Sequence, residues 1–540
     1  MSVLIQQFLR HSEHLYPDAI AIDDGVEQLN YTQLVTRVES LCDLFIQHGL
    51  KPGQHLAVFS TNNADYVAIY FACAHLGLVI VPMNAHLKEE EIQWILEDCS
   101  PAAVVVEASY LGTFSRALRA TGFANILRFA QGARHSDWIA LSHIQADKQP
   151  GSSGQIQYET RVNASTEPDA IAKADDLAIQ MYTSGTTGRP KGVMLSHDNM
   201  TSLVVSWLHE MPLVAHESRF MQATPLFHVG GLLVCLSTIA AGATLILLPK
   251  FEPELACETL IEKSITDTLL VPAMIQRLLS LPHIGRLEFS HLTTMVYGAS
   301  LMPTSVLRHA HQIFSCQFLQ GYGLTETSGV ALSLKPEDHD FSASGDKAER
   351  LAAAGRELSC CEVRIVDGTA ESVAAGVIGE IAVRGSNVML GYWNNQEATA
   401  ETIVDGWLRT GDLGRADIDG YIYVVGRSKD MIDFSGENVY PAEVENVLSE
   451  HPRVAEVAVI GLPHQSTGEE VVAVVVVSES DCENGKDPSS PSLSLADELV
   501  GFSRKRLADF KCPTRFIITE ALPRTPAGKI KKQVLRDRYT

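Results

Sequence analysis

The chain has 540 residues, too many for one compact core, so two or more domains are expected. With 46% hydrophobic and 20% charged residues it has the composition of an ordinary globular protein, which excludes disordered, collagen-like and coiled-coil chains. A formal charge of −23 repels nucleic acid and anionic membrane surfaces over most of the molecule. Residues 501–540 differ: eleven Lys/Arg against three Asp/Glu give this tail +8 while the rest sums to −31. A basic unit on an acidic body suits a small polyanion held between them.

Ten cysteines are scattered from Cys42 to Cys512 without a C-x-x-C spacing, so buried reduced thiols are expected rather than zinc or dithiol chemistry. The opening MSVLIQQFLRHSEH lacks a basic stretch ahead of an apolar core, so it does not read as a secretory leader, and the expected compartment is the cytoplasm. Val229–Pro249 reaches membrane length without a charge. Its glycines, alanines and hydroxyls fit a buried helix, a turn at Gly242 and a buried strand better than a transmembrane span.

In chain order, Tyr31–Gly49 has helical period and a glycine stop, and Pro52-Gly53 leads into the strand HLAVFS (55–60). A helix from about Asp65 to Leu76 and the strand LVIVPM (78–83) continue an alternation that builds helix-covered sheets. Residues 143–170 are polar and read as a surface connection. The strand LAIQMY (177–182) precedes a Ser/Thr/Gly run and then an expected helix. Residues 406–426 read as strands and tight turns, residues 440–461 as a helix followed by a strand. The composition change between them places a boundary at 427–430. The expected fold is α/β, with a large multi-sheet N-terminal domain (1–426) and a small α+β C-terminal domain (431–540) interrupted by a polar loop at 478–494.

The strongest local signal is Met181–Ser196, MYTSGTTGRPKGVMLS. Glycines let a backbone approach a phosphate, hydroxyls donate to its oxygens, and a lysine neutralises its charge. The run differs from the Walker pattern, because Pro190 precedes Lys191 and no hydroxyl follows it. A flexible loop and a phosphate cradle are both open readings of this motif alone.

Seven further motifs follow in order: PLFH (225–228), YGAS (297–300), GYGLTET (321–327), GWLRTGD (406–412), GRSKDMI (426–432), GENVYPAEVE (436–445) and PRTPAGKIKK (523–532). Together they resemble the AMP-forming acyl-CoA synthetases of the adenylate-forming superfamily, from about Tyr31 to Lys532. The resemblance implies ATP, Mg²⁺ and coenzyme A as partners of a small carboxylic acid. It also implies two steps, acyl-AMP formation and then transfer to the thiol, with the small domain swinging about Lys429 between them.

The resemblance also implies roles, each with a physical reason. Thr183, Ser184, Gly185, Thr186, Thr187, Gly188 and Lys191 would wrap the outer phosphates. Glu326 would hold Mg²⁺ together with Thr183, a carboxylate suiting a hard cation, and Thr325 would touch the α-phosphate. Tyr322, between Gly321 and Gly323, would face the adenine, with Gly298, Ala299 and Ser300 on its other side. Asp412 would accept from both ribose hydroxyls, and Arg427 would reach the ribose or phosphate. Lys529 would bridge the attacking carboxylate and the α-phosphate. Ser435 and Gly436 would line a passage for the thiol arm, Ser435 standing where relatives often have glycine, and Lys511 stays as expected.

Where amino-acid-activating relatives carry an aspartate, Phe227-His228-Val229-Gly230-Gly231 has no acid to pair an ammonium, so amino acids are disfavoured. Gly230, Gly231 and Leu232 imply an open apolar passage, with Tyr297 at its floor. His228 is either a gate beside the carboxylate or a core histidine. A medium- or long-chain fatty acid is the leading expectation, with an aryl acid, or a carrier protein as acceptor, as alternatives. Peripheral membrane contact and a homodimer are compatible with this reading; nucleic acid is not an expected partner.

Overall fold

The computed structural model describes residues 3–123, 126–132, 137–141, 172–184, 189–210, 215–477, 495–524 and 529–540. The expected polar connections at 143–170 and 478–494 lie outside these residues, as do Gly185–Gly188 of the Ser/Thr/Gly run. Four sheets organise the chain, three formed before residue 428 and one after residue 431.

The first sheet runs Val79–Met83, His55–Phe59, Ala103–Glu107 and Leu127–Gln131 in parallel register. The second is parallel from Gln317–Tyr322 through Thr294–Gly298, Asp267–Leu269, Arg219–Gln222 and Thr244–Leu247 to Ile20–Asp23. One hydrophobic cluster joins strand residues of both sheets, such as Val58, Val105, Leu245 and Leu319, through two helices, Ala64–Leu76 and Val229–Ala240. Both helices are apolar on nearly every face, as a helix between two sheets must be. Their ends are set locally. Asn63 caps the first by accepting from Tyr66 N, and Gly77 closes it in the left-handed region. The membrane-length stretch is thus the second helix, a turn at Gly242 with φ 72° and the strand Thr244–Leu247. Among the described residues no helix is long and apolar enough to cross a membrane.

A third, antiparallel sheet carries Trp407–Ala416 paired with Ile422–Arg427. The single 3-10 turn Ser428–Asp430 follows, and Ile432–Phe434 begins the fourth sheet, whose center is the long pair Val454–His464 and Gly468–Val477. Nine described cysteines are free thiols, eight of them buried, and Cys361 Sγ lies 3.4 Å from Ala331 O.

One sequence expectation is corrected. The Ser/Thr/Gly run joins two antiparallel strands, Leu177–Ser184 and Pro190–Ser196, and the helix starts only at His197. Val193 and Leu195 are fully buried on one face, a period-two pattern that favors a strand here. A strand rather than a helix N-terminus therefore follows the run directly.

Candidate active site

Groups from the first three sheets and from the segment that follows the fourth converge on Asp412, Glu326 and Lys529. Tyr322 ends the strand Gln317–Tyr322 and donates its hydroxyl to Asp412 Oδ2 at 2.7 Å. Arg427 Nε reaches Asp412 Oδ1 at 2.7 Å, because the antiparallel register sets Arg427 directly opposite Asp412. Asp412 is only 5% exposed. Burial pushes its pKa up, while Arg427 and the Tyr322 hydroxyl draw it back. Both carboxylate oxygens are engaged, so any further donor must share or displace these partners.

Lys529 lies close enough to Arg427, Asp412 and Glu326 to feel their charges. Burial pushes its ammonium below the ordinary lysine value and Arg427 adds to this, with the two carboxylates opposing. His228 also faces Lys529: enclosure by protein, then this neighboring ammonium, pushes its pKa down to about 4, so the imidazole is neutral at pH 7.

Glu326 sits in the one-turn 3-10 segment Thr325–Thr327 and accepts from the Tyr392 hydroxyl at 2.9 Å. Across that tyrosine, the Lys191 ammonium stands 4.8 Å from the ring center. Thr183 is paired opposite Lys191 in the hairpin. Beside it, Arg189 stacks on Trp94 at 4.5 Å. Gly298 and Gly321 are paired in neighboring strands, and a Cβ on Gly298 would lie 2.2 Å from the Gly321 carbonyl oxygen, so no side chain fits there. Ala299 follows in the left-handed region at φ 65° and leads into Ser300. Gly323 is equally closed, a Cβ meeting Gly329 O at 2.5 Å.

The segment Thr224–His228 is pinned by a residue that sequence reading passed over. Asn62 donates to Thr224 O (3.0 Å) and Leu248 O (3.1 Å) and accepts from Leu226 N (2.8 Å), while Tyr70 donates to Leu226 O at 2.9 Å. The available signal was the Asn62-Asn63 pair ahead of a helix: one asparagine caps, and the surplus one is buried and needs partners. Of the expected passage, Gly230 borders open space, with nothing within 4 Å of a Cβ. Gly231 does not, since its Cβ would strike Pro225 O at 2.2 Å, and Leu232 is fully buried. Tyr297 is likewise core rather than floor, fully buried with its hydroxyl 2.9 Å from His339 Nε2.

Ser435 and Gly436 lie apart from this cluster, at the exposed tip between Ile432–Phe434 and Glu437–Val439. Both have positive φ, 56° and 85°, the pair of values a two-residue type I′ hairpin turn demands. Serine is strained there. Ser435→Asn should raise stability by about 0.5–1 kcal/mol, read by thermal or urea unfolding, because asparagine tolerates this region better. Lys511 Nζ is held by both Glu443 oxygens at 2.8 Å, and Lys429 is exposed in the turn Ser428–Asp430.

These residues fit a magnesium ion that arrives with phosphates. Such an ion needs only one or two carboxylates, and Glu326 supplies one; no group of three or more His/Cys/Asp/Glu able to form a closed metal cage occurs among the described residues.

The family model described as AMP-binding enzyme matches residues 9–393, and that of the AMP-binding enzyme C-terminal domain matches residues 443–529. The chain is 34% identical to an indoleacetate–CoA ligase of Aromatoleum aromaticum, over 98% of this chain and 97% of that one. It is 31% identical to a long-chain-fatty-acid–CoA ligase of Mycobacterium tuberculosis, over 95% and 93%. Its fold resembles the ATP-bound crystal structure of MatB from Rhodopseudomonas palustris, with a TM-score of 0.84, 29% identity and coverage of 100% and 99%.

Proposed function

Because the chain belongs to the AMP-binding enzymes and is an adenylate-forming acid–thiol ligase, we propose that it activates an apolar carboxylic acid, first of all a medium- or long-chain fatty acid, for transfer to coenzyme A. In the first step the carboxylate oxygen attacks the α-phosphorus of ATP and pyrophosphate leaves. In the second the coenzyme A thiol attacks the acyl carbon and AMP leaves.

The first step joins two anions, so the residues that matter are those supplying positive charge and fixed donors where charge accumulates. Lys529, beside Asp412 and Glu326, is the group proposed to bridge the incoming carboxylate and the α-phosphate. Lys191 and the hydroxyls of its hairpin take the outer phosphates. Glu326, with Thr183, would hold Mg²⁺, which would supply positive charge against that of the leaving pyrophosphate. Asp412 orients the ribose, and Tyr322 and Gly298–Ser300 bound the base. A neutral His228 adds no charge of its own beside the acid's carboxylate, which leaves Lys529 as the cation that meets it. The turn Ser428–Asp430, between the third and fourth sheets, is the proposed hinge, and the exposed turn at Ser435-Gly436 is the surface it would bring to the thiol arm.

The observation that carries the substrate reading is the open space at Gly230 in a segment without a carboxylate. An aryl acid is the second reading, favored by the indoleacetate-activating relative. Pyrophosphate release across acids from acetate to palmitate, with cinnamate, benzoate and leucine, each with and without coenzyme A, separates these readings. Thioester formation with an aliphatic series supports the first, turnover confined to the ring-bearing acids moves it to the second, and leucine turnover refutes both. Gly230→Phe should then lower kcat/KM for long acids about 100-fold and for short ones less than fivefold, since the added ring fills the space a long tail needs.

A further inference from the structure

The segment Gly385–Trp393 is a bracket between the two charged parts of the site. At one end, Asn387 donates to Val330 O (2.9 Å) and accepts through its backbone carbonyl from Ser328 Oγ (2.8 Å), and Met389 N donates to Glu326 O (2.9 Å). These contacts hold the turn that carries Glu326. At the other end, Gly391-Tyr392 pairs with Met194 and Val193, and Trp393 N donates to Gly192 O at 2.7 Å, which clamps the strand that carries Lys191. Asn199, on the helix after that strand, donates to the carbonyls of Ser386 and Val388, both at 2.8 Å, and locks the middle.

Tyr392 is the side chain of this bracket that touches both charges. Its hydroxyl donates to Glu326 Oε1 at 2.9 Å and its ring faces the Lys191 ammonium at 4.8 Å. A lysine and a glutamate that touch the same side chain in a part-buried site attract each other. Paired directly, the ammonium would be spent on the carboxylate and the carboxylate on the ammonium. The ring satisfies the cation through its π face, and the hydroxyl satisfies one carboxylate oxygen.

We infer that Tyr392 is a positioning residue that keeps Lys191 and Glu326 apart, so that the lysine stays available to phosphate and the glutamate to the metal that accompanies it. This rests on the nucleotide reading above. Tyr392→Phe keeps the ring and loses the hydroxyl; Tyr392→Leu loses both. The two halves of the role therefore separate.

The test is calorimetric titration of the full chain with ATP, once with excess Mg²⁺ and once with EDTA. The unsubstituted chain should bind ATP more tightly with Mg²⁺. In Tyr392→Phe that gain should shrink about five- to tenfold while affinity in EDTA stays within twofold, since only the glutamate has lost its anchor. In Tyr392→Leu the affinity in EDTA should also fall about three- to tenfold, since the lysine has lost its seat. An unchanged Mg²⁺ gain in Tyr392→Phe, or unchanged EDTA affinity in Tyr392→Leu, overturns the inference and leaves the ligase reading standing. If the unsubstituted chain binds no ATP under either condition, the nucleotide reading fails, and this inference with it.

Discussion

Lys529→Ala should lower acyl-AMP formation about 10²- to 10³-fold while leaving thioester formation from supplied acyl-AMP within a few fold. Lys529 is the cation brought among Asp412, Glu326 and His228, so its loss removes positive charge where the first step builds negative charge. The second step attacks an acyl carbon and releases AMP, with no new bond to phosphorus. Pyrophosphate release and thioester formation, measured separately, check this. Equal loss in both steps would rule out a lysine that serves one half-reaction. The direction of its pKa adds a sign. Burial holds Lys529 below the ordinary lysine range, so its protonated form dominates at low pH and is lost as pH rises through that lowered value. Adenylation should therefore fall on the alkaline limb before thioester formation does, and Lys529→Arg should move that limb to higher pH even at reduced rate.

Asp412→Asn should lower kcat/KM for ATP about 100-fold. The amide keeps one acceptor oxygen and replaces the other with an NH2 donor, which must face either Arg427 Nε or the Tyr322 hydroxyl, both donors to the carboxylate. With one acceptor gone, the site loses half of the proposed bidentate ribose contact or weakens the cross-strand pair that sets Arg427 at the proposed hinge. The stability cost should stay near 1–2 kcal/mol, because Arg427 keeps enough exposed surface to be resolvated. Steady-state kinetics with thermal unfolding tests this. A large fall in stability with nearly normal ATP kinetics would make Asp412 a structural residue only.

Much of the architecture was legible locally. Alternating helical and strand periods, with Gly49 and Gly242 as stops, marked helices and strands of the first two sheets because a 3.6 or 2.0 period is written into neighboring residues. The strand at Pro190–Ser196 was not legible as a strand: its apolar run is short, and helix and strand periods cannot be told apart over so few residues. Glycines posed the same limit in the acyl segment. Gly230 and Gly231 are identical in sequence, yet one borders open space and the other is pressed against Pro225 O, a difference made by how the chain turns into the helix.

By itself, the sequence determined the order of elements, the adenylate-forming family through its eight motifs, and the chemical types at the site: lysines, carboxylates, hydroxyls and glycines. These are properties of short segments and of their order. The tertiary structure alone decided which of them meet. Tyr322 and Arg427 share Asp412, Lys529 arrives more than one hundred residues later beside the same carboxylate, and Tyr392 stands between Lys191 and Glu326. Such contacts depend on sheet register and on packing between distant segments, where a single-residue slip would turn every side chain to the other face.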